Sequence, residues 1–197
     1  MKVSVPSVLE MKTDTHDQIS AEIETRESHK MQALISKIGF EMNLDVWVPK
    51  PDKERVKIAL EDSYKDKFLN KLPANFDEST NKTIENIDVL WVQRRSILNA
   101  FEVEHTTSIY SGLLRLGDLL AAQPNIMIKT HIVAPYEKKE KVKSQILRPI
   151  FSTLDGGPMY ERCSFLSYKD LHDIIEIDHL SRMRSDILED YEEYFED

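Results

Sequence analysis

Cysteine is almost absent from this sequence, which has a single one, Cys163, among 197 residues. A lone cysteine forms no disulfide within the chain and fits a reducing compartment, so we expect a cytoplasmic protein. Glycine (5) and proline (8) are scarce, which excludes a fibrous or wholly disordered chain. Long hydrophobic runs are missing as well. None approaches the roughly 18 apolar residues of a membrane-spanning helix, and residues 1–10 lack the apolar core of a secretory signal.

What the chain does contain suits one folded domain. Hydrophobic residues make up 41% of its 197 positions, enough for a sizeable core. The net charge of −9 argues against nucleic acid, whose phosphates are bound by Lys and Arg. However, residues 186–197 hold seven acidic residues and no basic one, so basic patches can exist elsewhere. We divide the chain into an N-terminal arm or linker (1–17), a main domain (18–180) and an acidic, solvated C-terminal helix or tail (181–197).

The hydrophobic periodicity alternates between helical and extended patterns. Met31, Leu34, Ile35 and Ile38 follow the spacing of one helix face, which predicts a helix over 18–43. Strands followed by helices favour an α/β fold with a mixed central sheet flanked by helices on both faces. The other predicted elements are strand 45–48, helix 53–70, loop 72–83, strands 87–92 and 97–105, helix 108–122, strand 126–134, helix 137–151, turn 154–158, strand 163–166, helix 168–175 and a final acidic helix.

Two acidic residues stand out inside the strand 97–105. Glu102 and Glu104 are two positions apart and therefore share one face of the strand. Two like charges side by side in an apolar strand are costly. A metal ion, basic partners or a raised pKa must compensate for that cost.

Asp88 is the second anomaly, because it interrupts an apolar strand. If 87–92 and 97–105 pair as a hairpin, the residue opposite Asp88 is Phe101 or Glu102, and three carboxylates converge. Such oxygen ligands suit Mg²⁺ or Mn²⁺. The alternative is a salt-bridge network with basic residues of the neighbouring segments, and the candidates are Arg94, Arg95 and Arg115.

The segment Ile87-Asp88-Val89-Leu90-Trp91, followed by 101–112 (FEVEHTTSIYSG), resembles the core of PD-(D/E)XK restriction-endonuclease-like proteins, in particular uncharacterised bacterial and archaeal members. The resemblance covers about residues 24–175 and implies that fold. It also implies a metal-dependent nuclease that hydrolyses phosphodiester bonds in DNA, acting in restriction, defence or repair, and a homodimer. By resemblance, Asp88 and Glu102 are ligands of Mg²⁺ or Mn²⁺. Two positions depart from the pattern: Glu104 replaces its lysine, and Ile87 replaces its proline.

Further site residues follow from the same resemblance. The first helix of this superfamily often contributes an acid, for which we select Glu27, with Glu24 as the neighbouring alternative and Gln32 facing the same cleft. Arg115 would contact the scissile phosphate or neutralise Glu104, and Glu104 would orient or deprotonate the attacking water.

Two further readings of the sequence stay open. The first is a catalytically inactive nuclease fold that binds DNA or a protein partner, which the missing lysine and the acidic balance favour. The second is an unrelated α/β protein whose acids form structural salt bridges. The six histidines and Cys163 show no zinc-type spacing.

Overall fold

The computed structural model describes residues 8–73, 78–104, 109–122, 127–154 and 156–196, and within the first helix it describes side chains at 23 and from 25 onwards. Among the helices in these ranges, none is long and apolar enough to cross a membrane. Side chains that pack on the two faces of a central sheet form the hydrophobic core.

The sheet has five strands whose spatial order follows their order in the chain. The first three strands pair antiparallel, and the third, fourth and fifth pair parallel. The predicted α/β class with a mixed, helix-flanked sheet is therefore confirmed. The strands are β1 (Asp45–Trp47), β2 (Val89–Gln93), β3 (Ser96–Val103), β4 (Lys129–Ala134) and β5 (Cys163–Ser167).

Helices cover both faces of this sheet, as expected where parallel strands need crossover connections. They are α1 (Val8–Glu41), α2 (Lys50–Ile58), α3 (Glu78–Ile84), α4 (Ile109–Ala122), α5 (Lys139–Ile146), α6 (Pro149–Ser152), α7 (Met159–Arg162) and α8 (Tyr168–Ile175). Short 3₁₀ turns lie at Asp62–Tyr64, Tyr136–Lys138, Leu180–Arg182 and Ser185–Asp190.

The two sheet faces bury different helices. One face, which carries Trp91 and Phe101, packs against α1 and α8. The other face, which carries Ala100 and Ile132, packs against α4 and α5. Helix α1 lies very close to the sheet, since a Cβ at Gly39 would be 2.6 Å from Trp91 Nε1. That indole N–H donates to the Ile35 carbonyl at 3.1 Å, so the buried Trp91 holds α1 in place.

Several predicted boundaries were wrong. Helix α1 begins at Val8 instead of residue 18, and α2 ends at Ile58 instead of continuing to residue 70. The segment 72–83, predicted as a loop, contains the start of α3. The helix predicted over 137–151 is broken before α6, because Pro149 lacks the N–H needed to continue it.

The acidic C-terminal segment also differs from the solvated α-helix that was expected. Its described part forms 3₁₀ turns and then runs along the edge of β5, where Phe165 and Glu193 exchange backbone hydrogen bonds of 2.8 and 3.0 Å. Phe195 is only 6% exposed and packs into the core. Backbone pairing and this aromatic anchor therefore bind the acidic segment to the domain despite its charge.

Candidate active site

The β2–β3 hairpin brings the two predicted acidic positions together. Val89 lies opposite Phe101, so continuing the register by one residue places Asp88 opposite Glu102. The Val103 N–H donates to Asp88 Oδ2 at 2.8 Å, which fixes this carboxylate at the end of the hairpin. The convergence predicted from hairpin length is thus present in the fold.

Glu102 is fully buried, and Arg115 is its partner among the described residues. Arg115 Nε donates to Glu102 Oε1 at 2.8 Å, and Nη2 donates to Oε2 at 2.5 Å. The guanidinium side chain is 32% exposed while the Glu102 side chain is 0% exposed. This two-point contact is the strong form of an ion pair. Arg115 therefore pairs with Glu102, which is one of the salt bridges that the sequence left open, and its charge also lowers the pKa of Glu104.

Helix α4 approaches the acidic strand through Gly112, a residue that the sequence reasoning assigned no role. A Cβ at this position would lie 2.5 Å from Glu104 Oε1 and 3.1 Å from Glu102 Cβ. The absence of a side chain lets the Gly112 N–H donate to the Glu104 carboxylate. The signal available in the sequence was a glycine in the first turn of a helix directly after an acidic strand.

The three carboxylates, which we call the acidic cluster (Asp88, Glu102 and Glu104), are strongly perturbed. Burial raises the pKa of Asp88 to about 6, against the hydrogen bond from Val103. Burial and the charge of Asp88 raise the pKa of Glu104 to about 7. Burial and Asp88 also hold the pKa of Glu102 well above its usual value, although Arg115 opposes this. Arg115, Lys141 and hydrogen bonds from Val103, Gln32 and Gly112 lower these pKa values, but by less than burial and the repulsion among the acids raise them.

Helix α1 supplies Gln32 to this cluster. The Gln32 side chain is 3% exposed and donates a hydrogen bond to Asp88. Its Oε1 atom is buried and finds no hydrogen-bond partner in the described part of the chain. Buried acceptors are rarely left without a partner, so the partner of this atom lies outside the described residues.

Glu27 and Tyr168 lie farther out. Glu27 is 36% exposed and accepts from Lys30 Nζ at 2.6 Å, while the alternative Glu24 has its side chain outside the described residues. Burial, followed by the charges of Glu27 and Glu104, raises the pKa of the half-buried Tyr168. Tyr168 was not predicted, although its place directly after β5, at the edge where the parallel strands end, was visible from the sequence.

The donor chemistry of this site fits a hard divalent cation, because carboxylates and an amide oxygen are the ligands Mg²⁺ and Mn²⁺ prefer. The unpartnered Gln32 Oε1 beside Asp88 supports that fit. Within the residues described, no group of three His, Cys, Asp or Glu side chains is arranged to hold one metal ion. Glu102 is instead occupied by Arg115, so its use as a ligand would require this ion pair to open.

Comparison with known proteins gives a family match over nearly the whole chain. Residues 5–196 match the model of the family described as the type II restriction enzyme NmeDI C-terminal domain. A curated relative, the type II restriction enzyme NmeDI of Neisseria meningitidis serogroup C, is 33% identical over 150 residues. That alignment covers 72% of this chain and 42% of the relative, so the chain spans less than half of that enzyme. No solved structure matches the chain.

Proposed function

The chain belongs to the family of the type II restriction enzyme NmeDI C-terminal domain, and from this premise we propose that it is a PD-(D/E)XK nuclease domain that cleaves DNA in restriction. The observation that carries the proposal is the acidic cluster. Asp88 lies opposite Glu102 at the end of a hairpin, and Glu104 follows on the same face. Buried, mutually repelling carboxylates reduce stability, so a functional role best explains their presence.

In this proposal Asp88 and Glu102 hold Mg²⁺ or Mn²⁺, with the unpartnered Oε1 of Gln32 as a further oxygen donor. Such an ion, when bound, neutralises phosphodiester charge and makes a water molecule more acidic. The hydrogen bond from Val103 orients Asp88. The close approach of α4 through Gly112 keeps bulk water away from Glu104.

Glu104 takes the role of proton acceptor. A pKa of about 7 leaves its carboxylate partly ionised near neutral pH, which is the range in which a general base works best. The N–H of Gly112 holds the carboxylate in one orientation. This role replaces that of the lysine in the family pattern, which would position the water without removing its proton.

Arg115 acts as a positioning residue. Its guanidinium group donates to both carboxylate oxygens of Glu102 and offsets one of the three negative charges of the acidic cluster. Because part of its side chain reaches the surface, it is placed to exchange Glu102 for a phosphate when DNA binds. The role of Glu27 stays a prediction: it lies near Tyr168 at the rim and is paired with Lys30.

The proposal is tested by cleavage of supercoiled plasmid with Mg²⁺ or Mn²⁺. Wild-type protein is compared with Asp88→Asn and Glu102→Gln, each checked for folding by circular dichroism. The matched control is Glu61→Gln, because this carboxylate is 65% exposed and its ion pair in the described part of the chain is with Lys37 on the surface. We expect both site variants to lose cleavage while the control keeps it. Cleavage retained by the site variants, or no cleavage by folded wild-type protein, contradicts the proposal.

A second candidate function is a catalytically inactive module of the same fold that binds DNA or a protein partner. The two-point pairing of Arg115 with Glu102 favours it, since this contact occupies a required metal ligand. Calorimetric titration with Mn²⁺ separates the two functions. Heat of binding that disappears in Asp88→Asn supports the nuclease, whereas no binding by wild-type protein supports the inactive module. The homodimer implied by the family resemblance is tested by sedimentation equilibrium.

A further inference from the structure

Helices α1 and α2 enclose a cleft of about 800 Å³, which we call the α1–α2 cleft. Its walls include Arg26, His29 and Lys30 from α1, and Arg55 and Ile58 from α2. Ile58 is 82% exposed at its rim, so the cleft opens to solvent. None of these residues belongs to the acidic cluster.

The cleft is positively charged in a chain whose net charge is −9. Arg26 and Arg55 are both exposed and form no ion pair with any residue in the described ranges. Helix α2 adds to this field, because Lys50–Ile58 contains four basic and two acidic residues. Unpaired guanidiniums at a concave surface attract anions and suit the geometry of phosphate groups.

The position of the cleft relates it to the acidic cluster. The buried His29 lies in its wall, with Nε2 at 3.4 Å from Asp52 Oδ1, and the charge of Asp52 acts on Asp88. Along α1, the cleft residue His29 precedes Gln32 by three residues and shares its helix face, whereas Arg26 lies about 9 Å from Gln32 along the axis and about 120° around it. Gln32 donates to Asp88, so the cleft begins beside the proposed cutting site. That distance corresponds to roughly two or three nucleotides of one DNA strand.

We propose that the α1–α2 cleft binds backbone phosphates of DNA next to the bond that is cut, with Arg26 and Arg55 as the phosphate contacts. This inference rests on the proposed function, because DNA is its ligand. Contacts of this kind position a duplex without reading its sequence. The exposed Ile58 supplies an apolar surface for the adjacent deoxyribose.

The test is binding of a fluorescent duplex by anisotropy, measured in Ca²⁺ and again in EDTA over a range of salt concentrations. Wild-type protein is compared with the double variant Arg26→Ala/Arg55→Ala. The control, Arg182→Ala/Arg184→Ala, removes the same charge from two exposed arginines. Ser181, beside this pair, contacts Asn43 beyond the far end of α1, about 25 Å along the helix from Arg26.

We expect the cleft variant to weaken DNA binding by at least ~10-fold. The slope of the logarithm of the binding constant against the logarithm of salt concentration should become shallower by about 2, since each lost phosphate contact removes about 0.9 from it. The control should change affinity less than about 2-fold. Ile58→Glu gives an independent check, because an exposed side chain tolerates the change while its charge repels phosphate. It should also weaken binding.

Equal losses in the cleft and control variants would overturn the inference, because general charge would then explain the effect. Unchanged affinity in the cleft variant and in Ile58→Glu would also overturn it, while leaving the proposed DNA function intact. Wild-type protein that binds no DNA in either buffer would contradict the proposed function itself, and this inference would fall with it.

Discussion

Two groups of buried polar side chains lie on opposite faces of strand β3 and respond to burial in opposite ways. The acidic cluster faces α4, with three carboxylates and one guanidinium. On the α1 face, Asn99 Nδ2 contacts His131 Nε2 at 3.0 Å, and His131 Nδ1 contacts Ser164 Oγ at 2.8 Å; we call these three residues the His131 group. The first group consists of mutually repelling carboxylates. The side chains of the second group are neutral and bonded to one another, although Asn99 Oδ1 and the neighbouring Glu192 Oε1 are buried without a partner among the described residues.

His131 is completely buried and stacks on Phe101 with ring centroids 4.6 Å apart. Burial lowers its pKa to about 3, so the ring is neutral and its 3.7 Å contact with Glu192 is not an ion pair. A neutral, paired group adds stability and specifies packing. The acidic cluster does the reverse, since it retains a cost that a bound cation would relieve. The difference teaches that burial alone does not mark a functional site. The acidic cluster is distinguished by the burial of mutually repelling carboxylates, which burial of neutral side chains does not reproduce.

The largest expected difference between the two groups is in catalysis. Glu102→Gln should reduce DNA cleavage by at least ~1000-fold, or about 4 kcal/mol, because a required carboxylate is lost. His131→Ala should leave cleavage per folded molecule within about 3-fold, because the His131 group lies on the other face of the sheet. Initial cleavage rates, normalised to the folded fraction, measure both. A comparable loss of activity in His131→Ala would remove the distinction.

The next effect concerns the ion pair between Arg115 and Glu102. Arg115→Ala should destabilise the fold by about 3 kcal/mol, because the buried Glu102 must then either stay charged without a partner or take up a proton. Adding Glu102→Gln to this variant should restore most of the lost free energy of unfolding. Urea denaturation of the wild type, the two single variants and the double variant forms the double-mutant cycle. Additive effects would show that Arg115 does not serve mainly to neutralise Glu102.

For the His131 group, the expected change is in stability. His131→Ala should lower the free energy of unfolding by about 2 kcal/mol at pH 7.5, from a cavity and two lost hydrogen bonds. The folded-state pKa of about 3 lies below the ordinary 6.5, so the stability that His131 contributes is present above pH 6.5 and is lost as pH falls toward 3. The destabilisation measured in urea should therefore shrink between pH 6.5 and 4.

The acidic cluster has the opposite pH dependence. The pKa of Asp88 rises from 3.8 to about 6, so its stabilising contribution is present below pH 3.8 and is lost as pH increases through 6. Asp88→Asn should match wild type at pH 4 and exceed it by roughly 3 kcal/mol at pH 8. Thermal unfolding at the two pH values measures this, with Glu61→Gln as control. An unchanged or reduced stability of Asp88→Asn at pH 8 would show that its charge is already compensated.

The sequence predicted much of the fold because the relevant patterns are local. Alternation along β3 and the short link of the β2–β3 hairpin predicted Phe101 or Glu102 opposite Asp88, and the register of the hairpin selects Glu102. The predicted helix at Tyr168–Ile175 was correct at both ends, because Ser167 and Asp170 form a capping box. The element boundaries that were predicted wrongly are of two kinds. In α3 the helix propensity of the residues is weak. At the C-terminal segment, backbone pairing between Phe165 and Glu193 overrides the effect of the acidic charge.

The site was predictable only in part. The sequence by itself determined which acids share a strand face, since side-chain direction follows from the two-residue period of a strand. Only the tertiary structure decided that Arg115 binds Glu102 and that Gln32 donates to Asp88. It also decided that Gly112 lets helix α4 lie against the acidic strand. The α1–α2 cleft likewise exists only once its two helices pack. These contacts join segments far apart in the chain, and their distances depend on how helices settle on the sheet, which no local pattern encodes.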